Sequence, residues 1–211
     1  MKVIAVNGSP RRKGNTAFAL EVLCKEIQKA GIETEILHVG NKLIHGCIAC
    51  NKCQENQNER CIINNDEVNE WLQVLKYADA VILGSPVYYA GIAGTMKCFL
   101  DRVFYVAEVN GGWFHGKIGA SVVALRRGGA TATFDSLNHF MLMSQMVVPS
   151  SSYWNMVHGL LPGEGAQDAE GIQIMENLGK NIVWLLQMKN ATKDSVPTPD
   201  YDQRVMTNFI R

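Results

Sequence analysis

The chain has 211 residues, of which 20 are basic, 20 are acidic and 47% are apolar. This composition is that of a globular protein with a substantial core, and its balanced charge argues against nucleic acid as a partner. No signal peptide or membrane span is recognisable, so we expect a cytoplasmic protein without membrane partners, whose six cysteines are thiols or metal ligands.

The first informative stretch, residues 8–16, follows an apolar run and precedes a segment with helical periodicity. We interpret it as the loop of a strand-loop-helix unit, where unpaired N–H groups favour an anion. Its sequence matches neither a triphosphate P-loop nor a dinucleotide loop, so one terminal phosphate fits best, and an ordinary capped turn is the alternative. The residues expected to hold this phosphate are Ser9, Arg11, Lys13, Gly14, Asn15 and Thr16.

The following segments alternate between helix and strand patterns. The first helix is predicted to run from Thr16 to about residue 30 and to stop at Gly31, before a strand over residues 34–39. A long insertion over about residues 41–65 contains most of the cysteines, and loops of that length usually have a function. A helix over 66–78, a buried strand over 80–84, a loop over 85–91 and a helix over 94–105 follow.

The second half continues the alternation. A strand over 117–125 ends in a glycine-rich loop, and a helix over 132–146, a short strand over 146–148 and a long helix over 168–188 complete the pattern. We therefore predict an α/β fold with a five-stranded parallel sheet and helices on both faces. One domain over residues 1–190 contains the insertion, and residues 191–211 form a C-terminal tail.

The loops that end the third and fourth predicted strands are candidate walls of a ligand crevice. Adjacent tyrosines in the first could stack on a planar ring, and arginines in the second could face a ring that becomes anionic. Flavin mononucleotide (FMN) has both a ring and one phosphate, while the alternative is that the tyrosines only pack in a core or an interface. The residues proposed to border the ring are Ser85, Pro86, Val87, Tyr88, Tyr89, Gly91, Arg126, Arg127, Gly128 and Gly129.

Four cysteines, Cys47, Cys50, Cys53 and Cys61, lie within 15 residues, which core packing does not explain. Thiolates are the usual ligands of iron-sulfur clusters and of structural zinc, so metal or cluster binding is predicted. Zinc, and a metal-free redox role, remain as alternatives to a cluster. The other two cysteines are expected to be buried in helices, and the five histidines show no metal-ligand spacing.

These motifs together resemble a known family. Residues 8–11, 14–16, 84–88, 97–102 and 127–129 resemble the flavodoxin-like NAD(P)H-dependent FMN reductases, and the cysteine quartet resembles the iron-sulfur flavoprotein subgroup. The resemblance covers the chain through about residue 159 and implies a flavodoxin-like three-layer sandwich. It also implies FMN held by the three loops, a [4Fe-4S] cluster on the four cysteines, and a homodimer or homotetramer in which flavin and cluster approach across subunit interfaces.

The leading functional hypothesis is an FMN-dependent oxidoreductase, linked to NAD(P)H or ferredoxin, with a small molecule or an electron carrier as redox partner. Because the flavin supplies the chemistry, no catalytic side chain is assigned. One alternative is a non-enzymatic electron carrier of the flavodoxin type. The other is a zinc-stabilised interaction module without flavin.

Overall fold

The computed structural model describes residues 1–200, 205–207 and 209–210. Its parallel strands are β1 (Lys2–Asn7), β2 (Glu33–His38), β3 (Ala80–Tyr88), β5 (Ile118–Leu125) and β6 (Met156–His158). A two-residue strand, β4 (Gly91–Ile92), pairs antiparallel with the end of β3. The order β2-β1-β3-β5-β6 is that of doubly wound flavodoxin-like sheets, which confirms the predicted fold and adds one short strand.

Helices cover both faces of this sheet. They are α1 (Asn15–Gln28), α2 (Lys52–Asn56), α3 (Val68–Lys76), α4 (Gly94–Val109), α5 (Ala130–Met143) and α6 (Ala169–Thr192), with a 3₁₀ turn at Glu164–Gln167. One apolar cluster joins α1 and α6 to the sheet, and a second joins α3, α4 and α5 to the opposite face. Within the described part of the chain, no helix combines the length and hydropathy needed to cross a membrane.

The strand sequences account for this layering. All eight residues of β5 and residues 80–85 of β3 are buried, as expected for parallel strands covered on both faces. Helix α3 is amphipathic, because Val68, Leu72 and Leu75 are buried at helical spacing. The central strands of the sheet are therefore covered on both faces, and polar loops follow their carboxyl ends.

Two predicted elements differ from the structure. The short strand expected over 146–148 is only a single bridge between Val147 and Ile118, and the edge strand is β6. Strand β3 also continues through residues that were predicted as a loop. It can do so because its pairing with β1 ends at Gly84, so the proline that follows lies where one strand edge is free.

The predicted boundary between domain and tail falls within α6, which ends at Thr192. The tail over 191–211 lies partly outside the described residues, so its assignment as a separate segment stays a prediction.

Candidate functional site

The loop between β1 and α1 leaves the start of the helix open. Gly14 is the N-cap residue and no side chain caps the helix; the first intrahelical bond runs from Phe18 N to Gly14 O at 3.1 Å. The three preceding helical N–H groups have no intrahelical partner, and they carry the positive end of the helix dipole. Thr16 is 1% exposed, and its hydroxyl has no hydrogen-bond partner among the described residues. Both observations fit an anion at this position.

The Asn15 side chain has a different role from the one expected. Its amide donates to Leu161 O at 3.0 Å, and its Oδ1 accepts from Gly163 N and Gly165 N, both at 3.1 Å. All three bonds cross to the loop after β6, which we name the latch loop (residues 159–165). The latch loop thus engages the oxygen and one hydrogen of the Asn15 amide, so this side chain fixes a fourth loop at the site.

The segment after β2 supports the phosphate loop from behind. His38 Nε2 lies 2.8 Å from Ser9 O, and Gly40 N donates to Asn7 O at 3.2 Å. A Cβ atom on Gly40 would lie 2.2 Å from the carbonyl carbon and oxygen of Ser9, so only glycine fits there. The position of the loop is thus set by backbone contact with its neighbour.

The second predicted loop is a tight hairpin. Tyr89 and Ala90 connect β3 to β4 with positive φ angles of 49° and 57°, as a two-residue turn requires. Gly129, at φ 90°, packs so closely against Ala90 that a Cβ would lie 2.8 Å from its Cα. Ser85 is fully buried, accepts from Ala93 N at 3.1 Å and donates to Pro86 O at 2.8 Å. Ser85 and Gly129 therefore shape the walls of the site from behind.

The loops meet around a cleft of about 220 Å³ at the carboxyl edge of the sheet. Arg11 and Arg126 are exposed and place positive charge at its rim. The predicted residues that line it are Ser9, Arg11, Gly14, Asn15, Thr16, Pro86, Val87, Tyr88 and Arg126. The predicted residues that do not line it are Lys13, Ser85, Tyr89, Gly91, Arg127, Gly128 and Gly129.

Sequence reasoning missed the latch loop. Gly159 and Leu160 line the cleft together with Ala124 and Leu125 of β5. The available signal was a glycine and proline-containing segment directly after a strand. It was not used because that strand, β6, has only three residues and was not recognised.

The four cysteines of the insertion converge on a second, smaller cavity. Cys47, Cys50, Cys53 and Cys61 all line it, and its volume of about 20 Å³ admits about one water molecule. Burial raises the pKa of Cys53, and the charges of Cys61 and Cys47 act in the same direction. Cys53 therefore favours its neutral thiol unless a cation is present, and four sulfur donors around one cavity fit a metal or cluster.

The arrangement of the four cysteines in this structure does not match their donor chemistry. Across residues 1–200, 205–207 and 209–210, no group of three or more potential ligands is arranged to hold a metal ion. The cavity is too small for a cluster, so binding would require the cysteine segment (residues 45–66) to widen. This segment carries left-handed residues at Ala49, Asn51, Gln57 and Glu59, so it is a wound loop with one short helix.

Helix α4 forms the floor under the cysteines. Arg102 and Tyr105 line the cavity, and the Tyr105 hydroxyl donates to Asn51 Oδ1 at 2.9 Å. Asn69 of α3 holds both backbone groups of Cys61, at 2.8 Å for the N–H and 3.0 Å for the carbonyl. Cys61 is thus fixed by its backbone, while Cys47 and Cys50 are exposed.

The remaining predictions for single residues divide. Cys24 is buried as expected, and burial raises its pKa to about 11, whereas Cys98 is only half-buried. The pair Lys97 and Asp101 is confirmed, with Nζ donating to both carboxylate oxygens at 2.6 and 2.7 Å.

Comparison with known proteins gives a consistent assignment. The family model described as NADPH-dependent FMN reductase matches residues 1–160. An iron-sulfur flavoprotein of Methanocaldococcus jannaschii is 35% identical over 195 residues, covering 89% of this chain and 98% of the relative. The match extends through the latch loop and most of α6, beyond the region of the family model.

Solved structures support the fold. RosB with a bound 8-demethyl-8-formylriboflavin-5'-phosphate intermediate matches with a TM-score of 0.70 at 16% identity, covering 100% of this chain and 94% of RosB. A flavodoxin from the domain Archaea matches with a TM-score of 0.58 at 18% identity, covering 89% of this chain and 99% of the flavodoxin. At these identities the likeness concerns the fold.

Proposed function

The chain belongs to the family of NADPH-dependent FMN reductases, and we propose that it holds FMN in the cleft between the phosphate loop, the β3–β4 hairpin, residues 124–126 and the latch loop. The family assignment makes it an FMN-dependent oxidoreductase, while the position of the flavin is our inference. The observation that carries it is the uncapped start of α1 at the point where these loops meet.

The phosphate end is argued from unused donors. The first N–H groups of α1 lack helical partners, Thr16 lines the cleft beside them, and Arg11 adds positive charge at the rim. The Ser9 hydroxyl accepts from Arg11 N at 3.2 Å, so it holds the loop and retains its own proton for donation. These groups would hold a phosphate without any metal ion.

The ring end would rest against the hairpin. Pro86, Val87 and Tyr88 of the hairpin strand line the cleft, as does Leu160 of the latch loop. The cleft lies below the roughly 300 Å³ at which ligand pockets usually begin, so a flavin ring would project from it. Tyr89 is fully exposed at the hairpin tip, where it would meet the projecting ring or a neighbouring subunit.

The cysteine cavity would hold a [4Fe-4S] cluster after the segment widens. The four thiols provide a complete ligand set for it, and the relative from M. jannaschii is named an iron-sulfur flavoprotein. The flavin cleft and the cysteine cavity share no lining residue. We therefore expect a dimer or tetramer, in which the two cofactors approach across an interface.

FMN would supply the exchange between two-electron and one-electron chemistry, with NAD(P)H or a ferredoxin-type carrier as donor. The chain's own residues would bind the phosphate, orient the ring and bring positive charge from Arg126 to its edge. No side chain in the cleft is positioned as a general acid or base by a hydrogen-bonded partner, so no proton-transfer residue is assigned.

Steady-state turnover tests this function. FMN-loaded protein should oxidise NADPH or NADH with a quinone or free flavin as acceptor. If neither nucleotide is oxidised but the flavin exchanges electrons with reduced ferredoxin, the protein is an electron carrier of the flavodoxin type instead.

The cysteine assignment has its own test. Cys50→Ala should abolish iron binding in anaerobically purified protein and leave the FMN content unchanged. Cys98→Ala is the matched control, since its thiol lies beside Gly46 at the edge of the segment but does not line the cavity. Zinc in place of iron in the unmodified protein would support the interaction-module alternative.

A further inference from the structure

Arg102 is the largest fully buried side chain of the described residues. It lies in the middle of α4 and is 1% exposed. Arginine is almost never fully buried unless it is paired. Its partner is Asp66, which accepts from Nη1 and, at 3.1 Å, from Nη2. The ion pair is thus buried on both sides.

The same guanidinium joins both ends of the cysteine segment. Nη1 donates to His45 O at 3.3 Å, just before the first cysteine of the quartet, and Nη2 donates to Ile63 O at 2.8 Å, just after the last. Together with Asp66, these contacts fasten the two ends of the segment to one point on α4. Arg102 therefore closes the loop that carries all four ligands.

One donor of Arg102 is left over. Its Nε is buried without a hydrogen-bond partner among the described residues, and the side chain lines the cysteine cavity. A buried donor on a charged group is unfavourable when it has no partner, so a group that pairs with it is expected when the site is filled. The cavity offers it thiol sulfurs.

Cys61 lines the same cavity as Arg102. Among the described residues Nε has no hydrogen-bond partner, so it makes no bond to the Cys61 sulfur before the cavity is filled. A small widening of the segment would bring a ligated sulfur into reach of Nε.

We propose that Arg102 is a positioning residue for the cluster proposed above, and that its Nε–H donates a charge-assisted hydrogen bond to a sulfur of that cluster or of Cys61. The inference rests on the proposed function, because it needs a cluster in the cavity. Hydrogen bonds to cluster sulfurs stabilise the reduced, more negative state and so raise the reduction potential. Arg102 then has two separable effects, on the closure of the segment and on the potential.

Two substitutions separate these effects. Arg102→Lys keeps a positive charge opposite Asp66 but removes the Nε donor, so it should shift the cluster potential to more negative values. If the lost bond weakens reduction about tenfold, the shift is about 60 mV for a one-electron couple. Asp66→Asn keeps the Nε donor and removes a negative charge, so it should leave the potential unchanged or shift it to more positive values.

The experiment uses anaerobically purified protein carrying both cofactors. The potential is followed by electron paramagnetic resonance during a reductive titration, and iron release to a chelator is timed. Lys97→Gln is the matched control on α4, since its ion pair with Asp101 is exposed and contacts no part of the cysteine segment. The FMN content of each variant reports whether the domain has folded, because neither Arg102 nor Asp66 lines the flavin cleft.

The expected result is a negative shift for Arg102→Lys alone, with iron released about tenfold faster than in the control, as for loss of a partner around a metal site. Equal potentials in all variants, with iron still bound, would overturn the role of Nε and leave the proposed function intact. Shifts of the same sign in Arg102→Lys and Asp66→Asn would also overturn it, because loss of structure alone would explain them. Wild-type protein without iron would overturn the cluster assignment and this inference together.

Discussion

Replacing Asn15 by alanine tests whether its side chain fixes the latch loop or binds the phosphate. The side chain makes three hydrogen bonds to the latch loop, at 3.0, 3.1 and 3.1 Å, and no hydrogen bond to any other described residue. At a net contribution of about 1 kcal/mol each, their loss should lower the free energy of unfolding of the flavin-free protein by about 3 kcal/mol.

Flavin binding should weaken as well, since the latch loop borders the cleft in which we propose that FMN binds. If the full 3 kcal/mol favours the closed state, the dissociation constant rises by at most about a hundredfold. Urea unfolding of the apo-protein gives the first quantity, and quenching of FMN fluorescence on titration gives the second. Thr16→Val is the matched control, because the Thr16 hydroxyl has no hydrogen-bond partner among the described residues. It should weaken FMN binding without changing the stability of the apo-protein.

An unchanged urea midpoint of the Asn15→Ala apo-protein, together with a lower FMN affinity, would contradict the role of Asn15 in fixing the latch loop. That pattern would mean that the Asn15 amide leaves the latch loop and binds the phosphate directly, as the sequence first suggested. A stability loss in Thr16→Val equal to that of Asn15→Ala would show that the two side chains have the same structural role.

Three further predictions concern other parts of the chain. Gly40→Ala should weaken FMN binding by displacing Ser9, which its Cβ would approach to 2.2 Å, and fluorescence titration checks this. Asp168→Ala should cost about 1 kcal/mol in urea unfolding, because its carboxylate accepts from the first turn of α6. In apo-protein at about pH 8, Cys24 should alkylate on the order of a hundredfold more slowly than Cys50, since burial raises its pKa to about 11.

Each of these has a result that would count against it. Unaltered FMN affinity in Gly40→Ala would show that the phosphate loop tolerates a shift. Burial raises the pKa of Asp168, but hydrogen bonds from the N–H groups of His158 and Gly171 lower it, and the pKa in the folded protein lies below its ordinary value. The stability that Asp168 contributes should therefore be present above the pKa of the unfolded state. It should be lost as the pH falls through the pKa of the folded state. A stabilising contribution of Asp168 that increased at lower pH would contradict this. Equal alkylation rates of Cys24 and Cys50 would contradict the burial of Cys24.

Local pattern was sufficient for the phosphate loop and for most elements. The apolar run of β1, the polar loop and the periodic start of α1 are adjacent in sequence, so their unit could be predicted. The edge strand could not. Residues 146–148 have the stronger strand pattern, yet the edge of β5 is completed by β6, and Gly159 directly after β6 donates its N–H to Leu125 O at 2.8 Å. Such pairing depends on contacts far apart in sequence.

The same limit applies within the sites. Asn15 lies 146 to 150 residues from its latch-loop partners, and no local signal indicates that its side chain is already engaged. Arg102 follows Asp101 in a helix, which favours the interpretation of an exposed charge, whereas its true partner Asp66 lies 36 residues away. The cysteine spacing predicted a common site, and the four thiols do share one cavity.

Cofactor analysis of protein purified without oxygen tests the central claim most directly. We expect about one FMN per chain. We also expect about four iron atoms and about four acid-labile sulfides per chain, as one [4Fe-4S] cluster requires. Colourless protein without flavin would contradict the assignment of the cleft. Bound flavin together with zinc, or without any metal, would contradict the assignment of the cysteine cavity alone.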